Sequence, residues 1–171
     1  MRKLFVLGFG ALTVALLAAL MAANAWAAHP TRASGRTRTV VRVSTRTLPK
    51  LGTVLVNSKG FTLYMFVPDK QTKVTCVGTC AAVWPPVKLA SGARPVAAGA
   101  AKASLLGSDR DPSGGRVVTY NRWPLYTYVA DRAPGQAKGQ ALKLNGGYWY
   151  VLSPSGKVIR TKPASSGGTY P

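Results

Sequence analysis

The sequence predicts an all-β fold: one small domain built from two pseudo-symmetric hairpin-plus-strand repeats. Three observations carry that expectation. Residues 61–69, Phe-Thr-Leu-Tyr-Met-Phe-Val-Pro-Asp, are echoed by residues 123–131, Trp-Pro-Leu-Tyr-Thr-Tyr-Val-Ala-Asp, so aromatic, x, Leu, Tyr, x, aromatic, Val, x, Asp recurs position for position. Each copy follows a β-branched run and an Asn-containing turn, the sequence signal of a hairpin. Between residues 50 and 160 no amphipathic helix longer than two turns can be read from the apolar spacing. Two copies of a unit too small to bury its own core should pack against each other.

Taken in order, the chain of 171 residues opens with Arg2 and Lys3, an apolar stretch at 4–20, and the small-residue sites Ala23-Asn24-Ala25 and Ala25-Trp26-Ala27. These are the parts of a secretory signal peptide at 1–27. An uncleaved anchor is the alternative, because 17 apolar residues stand near the lower limit for a span. Cleavage would leave no permanent membrane span. Residues 28–49, rich in Arg, Thr and Ser, read as a flexible basic arm, with Val40, Val41 and Val43 able to form a short strand at its end. His29, the single histidine, sits beside the cleavage site and reads as a linker residue.

The repeat domain is expected at 50–160, with repeat one at 50–89, a small-residue connector at 90–104 and repeat two at 105–160. In repeat one, residues 53–56 and 61–67 are strands around the Asn57-Ser58-Lys59-Gly60 turn. Phe61, Leu63, Met65 and Val67 share one face of the second strand and Tyr64 and Phe66 the other, so both faces should be covered. Asp69 after Pro68 should cap a turn through backbone N–H groups. In repeat two, residues 116–120 and 123–129 pair around Asn121-Arg122 and end at Asp131. Residues 132–140 take the place of the cysteine loop, Gly139 falling where Gly78 does, and residues 148–152 match the Trp84 region. Residues 161–171 read as a disordered tail.

Cys76 and Cys80 are the only cysteines. Export implies an oxidising compartment, so a disulfide that stiffens one turn is expected. A redox pair or soft-metal site is the alternative, disfavoured by a spacing that is not C-x-x-C and by the absence of companion ligands. No metal and no cofactor is predicted.

Tyr64-Met65-Phe66-Val67-Pro68-Asp69 and Tyr126-Thr127-Tyr128-Val129-Ala130-Asp131 both fit Y-x-[FWY]-x-x-D. With Gly60-Phe61-Thr62-Leu63, Cys76-x-x-x-Cys80, Trp84-Pro85-Pro86 and Pro124-Leu125, they resemble the bacterial secreted-repeat family of lipoproteins over residues 50–160. Two departures stand out. There is no lipid-anchoring Cys, and Arg122-Trp123 replaces the Gly-containing turn frequent in relatives. The resemblance implies a bacterial, extracytoplasmic protein, secreted or envelope-associated, with no settled biochemical role.

Composition narrows the function classes. Setting aside Arg2 and Lys3 from 23 basic residues leaves 21 against four Asp and no Glu, a net charge of +17. In the cytosol that balance would suggest nucleic acid. In an exported protein no nucleic acid partner is expected, and the polyanions at hand are anionic cell-envelope polymers or lipid headgroups. With no Glu and a lone peripheral His, a catalytic residue set is not predicted; an Asp69–Asp131 acid and base pair or a cysteine activity is the lesser reading. The aromatics Trp84, Tyr148, Trp149 and Tyr150, with Tyr64, Phe66, Tyr126 and Tyr128, leave two readings open: the core between the halves, which the repetition favours, or a glycan- or small-ligand-binding surface. The expected function is therefore an exported, non-catalytic envelope or extracellular module, with specific ligand binding between the repeats as the alternative.

Overall fold

The computed structural model describes residues 40–71 and 73–162. The expected signal peptide at 1–27, the arm through residue 39 and the tail from residue 163 lie outside the described residues.

Chain direction first reverses at Pro49-Lys50-Leu51. There β1 (Arg42–Leu48) turns into β2 (Gly52–Asn57), paired antiparallel along their whole length from Val43↔Asn57 to Leu48↔Gly52. Seven residues of the expected arm are thus a strand. The arm reading gave too little weight to Val43 and Leu48, which are buried while the arginines and threonines between them face outward or are only half covered. At the next turn the Asn57 side chain accepts from the backbone N–H groups of Lys59 and Phe61, closing the hairpin that the sequence predicts. Residues 61–63 run back along β2 through the Leu63 N–H to Leu55 O bond and the Val56↔Thr62 bridge, then continue as β3 (Tyr64–Phe66).

A 3-10 turn at Val67–Asp69, the cysteine loop and the short helix α1 (Thr79–Val83) lead to β4 (Lys88–Leu89). The expected connector is structured: β5 (Val96–Ala97) pairs parallel with β1 and completes a sheet of order β2-β1-β5. Its small, breaker-rich composition hides a strand held only by backbone bonds, from Val96 N–H to Val41 O and Ala98 N–H to Val43 O.

The second half repeats the plan. β6 (Leu106–Arg110) pairs with β7 (Arg116–Tyr120), and β7 pairs with β8 (Trp123–Pro124) around Asn121 and Arg122. Both turn residues are left-handed, φ 46° and 68°, the pair of positive angles that a two-residue hairpin turn requires. β9 (Leu142–Leu144), β10 (Gly147–Leu152) and β11 (Val158–Ile159) close the domain.

The halves do more than pack together, because each repeat gives its third strand to the other. β10 pairs antiparallel with β3 of repeat one, at Trp149↔Phe66, Tyr150↔Met65 and Val151↔Tyr64. Reciprocally, the segment after α1 lies along the second motif, with Val87 N–H donating to Leu125 O and Thr127 N–H to Pro85 O. Tyr64 and Tyr126 meet at the centre, each backbone N–H donating to the other's carbonyl, at 2.9 and 3.0 Å.

Two apolar clusters flank this crossing. Val54, Tyr64, Phe66, Trp84, Tyr126, Trp149 and Val151 belong to one; Val43, Leu55, Leu63, Met65, Val118, Leu125 and Leu152 belong to the other. Alternation along residues 63–66 therefore feeds both cores, as the doubly apolar strand predicts. Trp84 itself caps the C-terminal end of α1 instead of lying on a strand.

Candidate functional site

At the crossing, the repeated motif forms a reciprocal clamp. The Tyr64 hydroxyl donates to Asp131 Oδ2 at 2.6 Å, and the Tyr126 hydroxyl donates to Asp69 Oδ2 at 2.7 Å. Each Asp also gathers its own loop. Asp69 Oδ1 accepts from Thr75 N–H and Thr75 Oγ1, and Asp131 Oδ1 accepts from Lys138 N–H. The turn-capping role expected of Asp69 is present and Asp131 repeats it, with a cross-repeat tyrosine added to each. Burial pushes both carboxyls above the usual carboxylate range, while the donated hydrogen bonds from Thr75 and Tyr126, and from Tyr64 and Lys138, pull them partway back. Burial first, then the neighbouring carboxylate, drives both phenols far above the ordinary tyrosine range.

Around the clamp the rings form a column through the core. Tyr128 stacks on Trp84 at 4.0 Å, Trp84 on Trp149 at 3.9 Å and Trp149 on Phe66 at 4.1 Å, with planes within 17° of one another at every step. Tyr64 meets Trp84 edge-on at 5.4 Å, and Tyr126 meets Trp149 edge-on at 5.2 Å. The pairing Trp84 with Trp149 and Phe66 with Tyr128 maps one repeat onto the other. At about 25 cal/mol per Å2 and 150–250 Å2 of ring surface, each of these aromatics contributes on the order of 4–6 kcal/mol of burial.

This settles where the candidate aromatics stand. Trp84 and Trp149 are fully buried with their faces on other rings, and Tyr150 is 8% exposed beneath the Arg160 guanidinium. They are core and offer no free face to a sugar, which corrects the binding reading for these three. Tyr148 alone is exposed, at 43%, beside Tyr150 and Lys143.

Cys76 and Cys80 are joined in a disulfide that ties the loop to the first turn of α1. The bridge begins one residue after Thr75, whose N–H donates to Asp69 as the Lys138 N–H before Gly139 donates to Asp131. The Gly139 N–H donates to the Tyr64 hydroxyl at 3.3 Å, so the counterpart of Gly139 is Cys76 and not Gly78. Gly139 must lack a side chain: a Cβ there would lie 2.6 Å from Trp84 Cη2. Repeat two has no disulfide; next to Gly139 the buried Gln140 accepts from Val151 N–H and donates to Ile159 O and Thr161 O. Nothing in the spacing of the sequence marks Gln140, and only an isolated polar residue between small ones hints at it.

The four carboxylates share a second property: none is exposed. Asp69, Asp111 and Asp131 are buried, and Asp109 has one oxygen enclosed without a hydrogen-bond partner. Asp111 is paired with Lys88 and accepts from Ser113 N–H at 2.8 Å. Burial alone would raise its carboxyl, but the Lys88 bond and the Ser113 N–H outweigh that and hold it below the usual range. No group of three or more metal-ligating side chains occurs among the described residues, and no helix among them is long and apolar enough to cross a membrane.

An interlocked pair of β repeats with a reciprocal Tyr–Asp clamp defines a tandem-repeat class of protein. Residues 45–88 and 108–153 each match the family model Lipoprotein_15, described as a secreted repeat of unknown function. The chain belongs to that family. Both matches fall on the two interlocked units, β1 through β4 and β6 through β10. No curated protein and no solved structure matches the chain.

Proposed function

We propose that the protein is an exported, non-catalytic module of the cell envelope or extracellular space, held to anionic envelope polymers or lipid headgroups by its basic surface. One observation carries this reading. The Lys and Arg of the described residues all reach solvent, while three of the four Asp are buried and the fourth is half-covered. The outer surface thus presents cations with almost no compensating carboxylate, and attraction to polyanions follows from Coulomb's law at any orientation of approach. The family's secreted description supports the extracytoplasmic setting and, with it, a partner other than nucleic acid. The commitment of Asp69 and Asp131 to hydrogen bonds within the clamp supports a role other than acid–base catalysis.

Co-sedimentation of the exported protein with purified cell envelopes across a salt series tests this. Exposed charge attraction is screened beyond about 8 Å at physiological salt, so pelleting should fall as salt rises. A deletion limited to residues 28–39 should weaken it, because those residues add Arg32, Arg36 and Arg38. The deletion must stop there, since residues 42–48 are a core strand. Pelleting that ignores salt would overturn the electrostatic reading.

A further inference from the structure

β6 is the outer strand of its sheet, whereas its counterpart β1 is covered by β5. Beside β6 lies an open groove of about 1100 Å3, walled by residues 90–95, by β6 and by the turn at 111–116. About half of its lining is glycine, alanine or serine, among them Ala90, Ser91 and Ala103, which leaves it open between the larger side chains. A Cβ placed at Gly92, Gly114 or Gly115 would meet nothing within 4 Å.

Three guanidinium groups line this groove: Arg94, Arg110 and Arg116, all exposed. Arg110 and Arg116 stand directly opposite each other across β6 and β7. Like charges in that relation destabilise a sheet, so the chain carries a local penalty here. No carboxylate relieves it closely. Asp111, the one acidic residue of the lining, is already held by Lys88 in the single ion pair among the described residues. Asp109 follows the strand alternation onto the other face from Arg110 and makes no ion pair, although Arg116 and then Arg122 pull its burial-raised carboxyl partway back. Arg116 is also held in place, its Nε donating to Ser108 Oγ at 2.7 Å and its Nη2 to the Ser108 carbonyl. That leaves Nη1 without a hydrogen-bond partner among the described residues.

We propose that this groove seats the anionic polymer, taking a segment of linear chain whose phosphate or carboxylate groups lie between the three arginines. The inference rests on the reading of the basic surface above and places its specific contact. The planar fork of Arg matches both oxyanions with two parallel N–H donors, which a lysine cannot do. The open shape admits a chain passing through, and the repulsion between Arg110 and Arg116 is relieved when an oxyanion bridges them.

The test is titration calorimetry of the exported protein at 150 mM salt with two purified probes, deacylated poly(glycerol phosphate) and polygalacturonate. Arg94→Gln, Arg110→Gln and Arg116→Gln are combined in one variant. A second variant with the same charge loss combines Lys50→Gln, Lys59→Gln and Lys157→Gln, all exposed and outside the groove. The groove variant should bind at least about tenfold more weakly than the control variant. The probe that shows this gap assigns the oxyanion as phosphate or carboxylate. Equal losses in the two variants would overturn the groove while leaving general surface attraction standing. No binding of the unmodified protein to either probe, together with salt-insensitive pelleting, would overturn both. Should the groove variant fail to fold, Arg94→Glu alone, in an exposed loop, must weaken binding; unchanged affinity in that variant would also overturn the proposal.

Discussion

Removing one hydroxyl from the clamp tests whether the Tyr–Asp exchange holds the repeats together. Tyr64→Phe leaves the ring in place beside Trp84 and takes away only the donor to Asp131 Oδ2, at 2.6 Å, and the acceptor for Gly139 N–H, at 3.3 Å. A hydrogen bond to a charged group contributes about 1.5–3 kcal/mol, and a buried carboxylate oxygen left without a donor adds to the loss. The expected cost is about 3 kcal/mol, a large share of the 5–15 kcal/mol typical of a domain. Tyr126→Phe should cost less, about 2 kcal/mol, because Asp69 keeps two donors from Thr75 whereas Asp131 keeps only Lys138 N–H. Urea unfolding followed by tryptophan fluorescence measures both, with an unchanged slope showing that two-state behaviour is kept. A double-mutant cycle of Tyr64→Phe with Asp131→Asn should return a coupling of about 1.5–3 kcal/mol. A coupling below about 0.5 kcal/mol would refute the clamp as a source of stability.

Two further outcomes follow from the same core. Gly139→Ala places a Cβ against the fixed Trp84 and Tyr64 rings and should cost about 1–3 kcal/mol with altered tryptophan emission. Gly78→Ala, with open space but φ 58° and ψ −127°, outside the left-handed helical region, should cost about 1–3 kcal/mol from backbone strain alone and leave the emission unchanged. As for pH, Asp69, Asp109 and Asp131 have folded-state pKa values raised above 3.8, so the stability tied to their protonation is present below that value and is lost as pH rises through the raised ones. Asp111, lowered, contributes stability above 3.8 that is lost as pH falls through its folded pKa. Unfolding free energy in high salt, where self-repulsion is screened, should therefore rise on acidification from neutrality toward 3.8 and turn down below it. A steady fall from neutrality would contradict this.

The repeated motif, the turn at Asn57, the left-handed turn at 121–122 and the doubly buried strand at 63–66 were all legible, because each is a local pattern with one structural solution. The capping by Asp69 was legible for the same reason, and the repeat extends it to Asp131. What the chain does not display is partnership. Residues 148–152 were legible as the match of the Trp84 region, but nothing in them names β3 as a neighbour, and no local signal reveals that each Tyr hydroxyl reaches the other repeat's Asp. β1 escaped because only Val43 and Leu48 of its seven residues are buried. The aromatic set read both ways until ring stacking placed Trp84 and Trp149 inside. Arg94, Arg110 and Arg116 come together only through the hairpin and the loop after β4, so their shared groove had no contiguous sequence signal.

The interlock also bears on where function sits. A lone repeat would leave Tyr64 or Tyr126 without its acceptor and its motif strand without the donated third strand, so the pair is the smallest unit that buries its own core. Residues at the crossing are therefore constrained by folding in both copies alike and have no freedom to carry a partner's specificity. Features present in only one copy are under no such constraint. The disulfide belongs to repeat one, where it holds the loop next to Thr75, the residue that binds the clamp's Asp69. The uncovered edge of β6 belongs to repeat two, and at the end of the β6–β7 hairpin Arg110 and Arg116 stand opposed, with Arg116 tied to Ser108 and no ion pair to either. Opposed like charges in the sheet where the symmetry is broken are therefore what the proposed anionic ligand would relieve.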